Sequence, residues 1–134
     1  MVWICPLCEL SLEKNQHSWS CENQHSFDQA KEGYVNLLPA HQKRSKNPGD
    51  NPEMVLGRRT IHDSHLYQPL AEALTNVVVE CKHTCTLLDI GSGEGYYGGL
   101  IARSVPGITV YGIDISKSAV KLAAKKYRNQ NFAV

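Results

Sequence analysis

Short apolar runs alternate with longer amphipathic segments along the second half of this chain. Short apolar runs at Thr86 to Ile90 and Thr109 to Asp114 predict strands, and Tyr96 to Ser104 between them predicts a helix. Ser116 is a capping residue, so a helix is predicted from there to about Tyr127, and Asn131 to Val134 begins a third strand. Alternating strands and helices are typical of a parallel α/β sheet.

The first 40 residues are more polar and rich in turns. Strands are predicted at Val2 to Ile4, Ser18 to Cys21 and near Ser26. The apolar run Tyr34 to Pro39 ends at a proline, and a basic linker with proline and glycine breakers covers residues 40–52.

Two helices are predicted between the linker and the first parallel strand. Asp50 or Asn51 can cap a helix that holds Pro52 in its first turn and runs to about His62. Leu66 to Glu80 predicts a second helix, since its apolar residues recur at helical spacing, namely Leu70, Leu74 and Val77.

The first parallel strand leads into a glycine loop, LLDIGSGEGYY, and the second ends in GIDIS. Glycines let backbone N–H groups approach a nucleoside cofactor, a helix N-terminus favours its carboxylate or phosphate, and an acid such as Asp114 can bind ribose hydroxyls. The pattern therefore favours a nucleoside cofactor over a turn that only joins strand to helix. The candidate cofactor-binding residues are Asp89, Gly91, Ser92, Gly93, Glu94, Gly95, Asp114 and Ile115.

The glycine spacing favours S-adenosylmethionine over NAD. A dinucleotide fingerprint is G-x-G-x-x-G, whereas glycines alternate strictly here, at 91, 93 and 95. Asp89 inside the turn would repel a pyrophosphate but could help to hold an amino-acid ammonium, directly or through water. A small NAD-dependent oxidoreductase is the disfavoured alternative.

Two pairs of potential metal ligands stand near the N-terminus. Cys5 and Cys8 form C-x-x-C, Cys21 and His25 form C-x-x-x-H, and twelve residues separate the pairs. Three thiolates and one imidazole make a closed tetrahedral zinc site, so the predicted metal is structural rather than catalytic. His17 is a possible substitute ligand, but it lies between the pairs and His25 is preferred.

The remaining composition suggests a soluble cytoplasmic protein. The chain has 134 residues, a net charge of +1, five cysteines and no segment that resembles a secretory signal or a membrane span. An odd cysteine count argues against a disulfide framework. Cys81 and Cys85, which flank His83, are interpreted as reduced thiols rather than a second metal site.

Positive charge is concentrated in and after the linker. A basic cluster of this kind can meet RNA phosphates, although it is more often a solvated surface. The candidate RNA-contact residues are Lys43, Arg44, Lys46, Arg58 and Arg59.

The order of a zinc motif, KEGYVNLLP, QKRSKNPGD and LDIGSGEGYY resembles the bacterial 23S ribosomal RNA guanine-N1 methyltransferases through essentially the whole chain. The resemblance implies a small N-terminal zinc-binding domain followed by a class I (Rossmann-like) methyltransferase domain, with S-adenosylmethionine as donor and a guanine N1 in a 23S hairpin as target. It matches Cys5, Cys8, Cys21 and His25 to the zinc ligands. Ser92 stands where the family usually has a cysteine, and both residues are small.

We expect a zinc-binding domain at residues 1–33, a basic linker and helix at 34–65, and the N-terminal part of the donor-binding domain at 66–134. Family members run about twice as far, so the chain is interpreted as an inactive, truncated fragment. Its last strand should then have an open edge and its sheet an exposed face, which favour self-association or local disorder after about Ser116.

No catalytic residue can be assigned from the sequence. Glu94, His62 and His65 are all interpreted as structural residues. The competing hypothesis is a zinc-dependent RNA- or protein-binding module without catalysis. No membrane partner is expected, and a homodimer is left open.

Overall fold

The computed structural model describes residues 3–81 and 86–134, which form two three-stranded sheets and four α-helices. The N-terminal sheet contains β1 (Glu13–Lys14), β2 (Ser18–Ser20) and β3 (Ser26–Asp28), all antiparallel. The interpretation of His83 and Cys85 and the predicted strand start at Val2 fall outside the described residues.

The connecting segment carries a short 3-10 helix, Ala40–Gln42, and then α1 (Pro52–Asp63) and α2 (Gln68–Glu80). The side-chain oxygen of Asn51 caps α1 by accepting a hydrogen bond from the Met54 N–H at 2.9 Å. The sequence left Asp50 or Asn51 open as the cap, and the structure selects Asn51.

Parallel strands β4 (Thr86–Ile90), β5 (Thr109–Ile113) and β6 (Asn131–Ala133) form the second sheet in the order β4-β5-β6. Helices α3 (Tyr96–Ser104) and α4 (Lys117–Lys126) connect the strands. These bounds agree with the predicted ones to within two residues, and the α/β prediction is confirmed.

The expected open edge at the last strand is wrong, because residues 35–37 lie along β6. The Val35 N–H donates to the Phe132 carbonyl at 3.0 Å, the Val134 N–H donates to the Val35 carbonyl at 3.0 Å, and the Leu37 N–H donates to Val134 at 2.9 Å. The apolar run before the linker therefore extends the sheet by one short parallel segment.

The N-terminal module also covers part of the second sheet. Trp3, Leu12, Trp19 and Val35 form one buried cluster with Ala133 of β6, and Tyr111 and Ile113 of β5 pack against it. The rings of Trp3 and Tyr111 meet edge to face, with centroids 5.3 Å apart. This face is therefore less exposed than the sequence suggested, whereas Leu88 and Ile90 on the outer strand β4 stay exposed.

The apolar positions predicted for α2 are not its buried face. Leu70, Leu74 and Val77 are exposed, while Ala71 and Thr75 are buried. Small residues allow α2 to approach α3. The buried Thr75 hydroxyl donates a hydrogen bond to the Ala71 carbonyl at 2.8 Å, so its polar group has a partner.

Candidate functional site

The four predicted zinc ligands converge on one point. Their ligand atoms all lie within 4.8 Å of one another. Nδ1 of His25 lies 3.5 Å from Sγ of Cys5 and 3.4 Å from Sγ of Cys21, and the Cys8 and Cys21 sulfurs are 3.6 Å apart. A tetrahedral zinc ion with Zn–S bonds of about 2.3 Å needs S···S edges of about 3.8 Å, so the donor set and its spacing fit zinc.

Tight turns hold each ligand pair. The Cys5 N–H donates to the Leu10 carbonyl at 2.7 Å, and the Cys21 N–H donates to the His25 carbonyl at 3.1 Å. Glu9 and Gln24, one in each turn, adopt left-handed backbone angles of +62° and +63°. Hydrogen bonds, the largest of them from the Leu10 backbone, lower the pKa of Cys8 to about 6, which favours the thiolate that a metal requires, whereas burial raises the pKa of Cys21.

A cavity of about 600 Å³ opens at the carboxyl ends of β4 and β5, beneath α1. This is the edge of a parallel sheet at which ligands bind. The glycine loop forms its floor, and the three loop glycines have φ angles of +77°, +54° and +80° that other residues adopt only with strain. Six of the eight predicted cofactor-binding residues line the cavity, namely Gly91, Ser92, Gly93, Glu94, Asp114 and Ile115.

Asp114 connects the loop to the end of β5. Its Oδ2 accepts a hydrogen bond from the Gly93 N–H at 2.9 Å, and its Oδ1 accepts one from the Ser116 N–H at 2.7 Å. Each carboxylate oxygen has a further lone pair, so the side chain is held in place and can still accept from a ligand hydroxyl.

Asp89 and Gly95, the other two predicted residues, are not among the cavity-lining residues. Gly95 is the buried N-cap of α3. Partial burial raises the pKa of the Asp89 carboxyl group, although a hydrogen bond from the Gly98 backbone acts to lower it. Asp89 therefore faces the start of α3 rather than the cavity.

An ionic and aromatic cluster that sequence reasoning missed lies at one end of the cavity. Nδ1 of His62 is 3.2 Å from Oε1 of Glu94, whose side chain is only 2% exposed. The His62 ring stacks on Tyr96 with centroids 4.2 Å apart and planes 6° apart, and it meets Tyr67 and Tyr97 edge-on. The hint in the sequence was the EGYY run after the glycines, but nothing there indicated that α1 would cover it.

The end of the basic linker is fixed to the start of α4. The Asp50 carbonyl accepts hydrogen bonds from the Ser116 hydroxyl at 2.6 Å and from the Ser118 hydroxyl at 3.0 Å. Gly49 has a φ of +80°, and a Cβ there would lie 2.8 Å from the Ser116 backbone nitrogen. Only glycine lets the linker turn at this distance, which brings α1 over the cavity.

The five candidate RNA-contact residues separate into two groups. Lys43, Arg44 and Lys46 are exposed. Arg58 pairs with Asp50 at 2.6 Å, and Arg59 faces Glu94 at 3.8 Å and Asp63 at 3.7 Å. The two arginines of α1 are therefore engaged within the protein, whereas the three linker residues have no ion-pair partner within residues 3–81 and 86–134.

None of the helices in the described part of the chain has the length and apolar character needed to cross a membrane.

Two protein families match the chain. Residues 3–46 match a zinc ribbon described as "RlmA, N-terminal", and residues 82–134 match a methyltransferase domain. The zinc prediction and the S-adenosylmethionine prediction agree with these two matches.

Three curated relatives match along 97% of the chain. It is 32% identical to the 23S rRNA (guanine(748)-N(1))-methyltransferase of Streptomyces fradiae, covering 46% of that protein. It is 32% identical to the putative 23S rRNA (guanine-N(1)-)-methyltransferase YxjB of Bacillus subtilis and 27% identical to a putative enzyme of the same description from Micromonospora griseorubida, covering 48% and 50% of them. The chain thus spans about half the length of the curated relatives it matches.

Proposed function

We propose that this chain belongs to the 23S rRNA (guanine-N1)-methyltransferase family and provides the zinc-binding and donor-binding parts of an enzyme that methylates N1 of a guanine in a 23S hairpin. The observation that carries the proposal is the cavity beneath α1, with the glycine loop as its floor and Asp114 at its side. Its volume of about 600 Å³ lies in the usual range for cofactor sites. Such an enzyme would act in the cytoplasm.

In this proposal the zinc is structural. Residues 1–33 form the zinc-binding domain, and Cys5, Cys8, Cys21 and His25 complete the tetrahedron, so no position is open for a substrate. Residues 34–65 form the linker and covering helix, and residues 66–134 form the donor-binding part.

Different residues of the cavity contact different parts of the donor. Asp114 accepts from the ribose hydroxyls, and the exposed apolar side chain of Ile115 packs against the adenine. Backbone groups of the loop from Gly91 to Glu94 lie beside the rest of the molecule. When bound, S-adenosylmethionine supplies an activated methyl group, while this chain's residues bind it and exclude water.

The RNA is held electrostatically by the linker. Lys43 and Lys46 line a depression of about 280 Å³ together with Lys117 at the start of α4, and Arg44 is exposed beside them in sequence. These four exposed cations near the donor cavity suit the phosphates of a hairpin backbone. Arg58 and Arg59 act through their ion pairs with Asp50 and Glu94 rather than as phosphate ligands.

The proposal is tested by ligand binding and then by methyl transfer. Calorimetry should detect binding of S-adenosylhomocysteine and no binding of NADH; the opposite preference would contradict the donor assignment. Transfer of labelled methyl groups to unmodified 23S rRNA by this chain is then measured, with the Streptomyces fradiae relative as the positive control. RNA binding without binding of S-adenosylhomocysteine would instead support a zinc-dependent RNA-binding module.

A further inference from the structure

The last turn of α1 brings a histidine into the donor cavity that the proposed function does not yet use. Nδ1 of His62 lies 3.2 Å from Oε1 of the buried Glu94, and its ring is stacked on Tyr96. With one nitrogen and one ring face held, the imidazole has a fixed orientation at the cavity wall. Only 17% of its side chain is exposed.

This pairing decides which ring nitrogen can accept a hydrogen bond. An ionised carboxylate only accepts hydrogen bonds, so Nδ1 carries the hydrogen and Nε2 of the neutral ring is left with its lone pair. The hydrogen bonds found among residues 3–81 and 86–134 occupy Nδ1 and leave Nε2 without a donor. The site therefore fits a ligand group that donates.

The surroundings of the ring favour a cation. Oε2 of Glu94 is buried without a hydrogen-bond partner in the described structure, and its ion pairs with Arg59 and Lys126 are long, at 3.8 Å each. Tyr67 and Tyr97 also line this end of the cavity, and aromatic faces attract cations. An ammonium group meets both demands, since it donates hydrogen bonds and carries positive charge.

The position of His62 matches the amino-acid end of the donor. Through the Asp50 carbonyl the start of α1 adjoins Ser116, beside Asp114, and His62 lies in the last turn of the same helix. Gly93 donates to Asp114, and the next residue, Glu94, pairs with His62. A donor whose ribose lies at Asp114 and whose adenine lies on Ile115 therefore has only its charged amino-acid end left for His62.

We propose that Nε2 of His62, oriented by Glu94, accepts a hydrogen bond from the α-ammonium group of the donor. The inference rests on the proposed donor function. It moves the ammonium contact away from Asp89, the residue to which the sequence pointed, because Asp89 lies against Gly98 and does not line the cavity. Glu94 is then a positioning residue that fixes the tautomer of the imidazole.

The test compares three ligands by calorimetry. S-adenosylhomocysteine has both charged groups, its decarboxylated analogue keeps only the amine, and methylthioadenosine has neither. The change His62→Ala should weaken binding of the first two by roughly tenfold to a hundredfold, which corresponds to one charge-assisted hydrogen bond, and leave methylthioadenosine unchanged. His62→Gln, whose amide oxygen can reach the Nε2 position, should restore part of the difference.

Two further variants sharpen the test. Glu94→Gln can donate to Nδ1, which leaves Nε2–H as a donor, so the same two ligands should lose affinity. His41→Ala removes an exposed histidine outside the cavity and should change nothing. Thermal unfolding of each variant confirms that it is folded before titration.

The other outcomes are distinct. An equal loss for methylthioadenosine in His62→Ala would overturn the inference, because His62 would then only shape the cavity. A loss confined to S-adenosylhomocysteine would overturn it in favour of a carboxylate contact. If both His62 variants bind all three ligands as well as the wild type does, only the inference about His62 is overturned. If the wild-type protein binds none of the three ligands, the proposed donor function is overturned as well.

Discussion

The zinc ribbon (matched at residues 3–46) and the donor-binding sheet (β4 to β6) use different means to stay folded. The ribbon's three strands are two or three residues long, and two of its metal ligands, Cys5 and Cys21, are themselves part of its buried cluster. In the sheet, β4 and β5 are five residues long, and its packing with the helices buries Val120, Ala123 and Phe132. A module as small as the ribbon needs its metal, whereas the sheet has an apolar core of its own.

The two regions are nevertheless one packed unit. The ribbon cluster includes Ala133 and contacts Tyr111 and Ile113, so its metal centre and the sheet share buried side chains. The carbonyl of Ala133 accepts a hydrogen bond from the N–H of Asp114 at 3.2 Å. The comparison therefore predicts that loss of zinc perturbs Asp114, the proposed ribose-binding acid, although in the proposal the zinc takes no part in binding the donor.

The largest expected effect is loss of the metal. The double change Cys5→Ser and Cys21→Ser should abolish zinc binding and unfold the ribbon, since the binding free energy of a structural zinc, about 10 kcal/mol or more in peptides, is folding free energy. Affinity for S-adenosylhomocysteine should fall with it. Metal analysis, thermal unfolding and calorimetry measure the three quantities.

Cys81→Ser is the matched control, because Cys81 is an exposed free thiol. Unchanged zinc content in the double variant would refute the ligand assignment. A zinc-free protein that binds S-adenosylhomocysteine as well as the wild type would show that the two regions are independent.

Asp114→Ala should affect only the donor-binding region. Removal of the carboxylate takes away the proposed ribose acceptor and frees the Gly93 and Ser116 N–H groups, so we expect binding of S-adenosylhomocysteine to weaken by about 1–3 kcal/mol. Zinc content should not change. Calorimetry measures the affinity, and Asp28→Ala, a change at an exposed aspartate of the ribbon, is the control. Equal affinities of the two variants for S-adenosylhomocysteine would show that Asp114 is not part of the site.

The join between linker and sheet can be tested with two glycines. Gly49→Ala should destabilise the protein by about 1–3 kcal/mol, because its φ is +80° and the new Cβ would meet Ser116. Gly57→Ala lies inside α1 with open space around it and should stabilise by about 1 kcal/mol. Chemical denaturation measures both, and effects of the same sign would contradict the docked linker.

The smallest effect is expected in the basic linker. Lys43→Ala with Arg44→Ala should leave stability and zinc content unchanged and should flatten the salt dependence of RNA binding by about one log unit for each phosphate that is no longer neutralised. Lys125→Ala with Arg128→Ala, exposed cations at the far end of α4, is the matched pair. Equal slopes for the two pairs would mean that RNA binding is not localised in the linker.

Most secondary structure was predictable because local signals were strong. Ser116 before an apolar helix, the glycines after an apolar strand and Pro52 at the start of α1 each set a boundary that the structure reproduces. The zinc ligands were predictable for a similar reason, since two closely spaced pairs need only two turns to meet.

Long-range contacts escaped prediction because nothing local encodes them. Whether Tyr34 to Pro39 is a loop or a strand depends on β6, which lies about a hundred residues away in sequence. The sequence predicts Arg59 as a cation available to RNA, because nothing local indicates that α1 lies over Glu94. The buried face of α2 likewise depends on how closely α3 approaches, and this favours Ala71 over the larger leucines.

The sequence by itself determined the α/β class, the metal-ligand set, the glycine loop and the acid at the end of β5, because each depends on residue type and spacing within a short segment. Only the tertiary structure decided that the ribbon covers the sheet, that Asp89 faces α3, and that His62 and Glu94 meet at the cavity. His62 and Glu94 are 32 positions apart, and the ribbon and β6 lie at opposite ends of the chain. Their geometry follows from which apolar surfaces are buried together, a property of the whole fold.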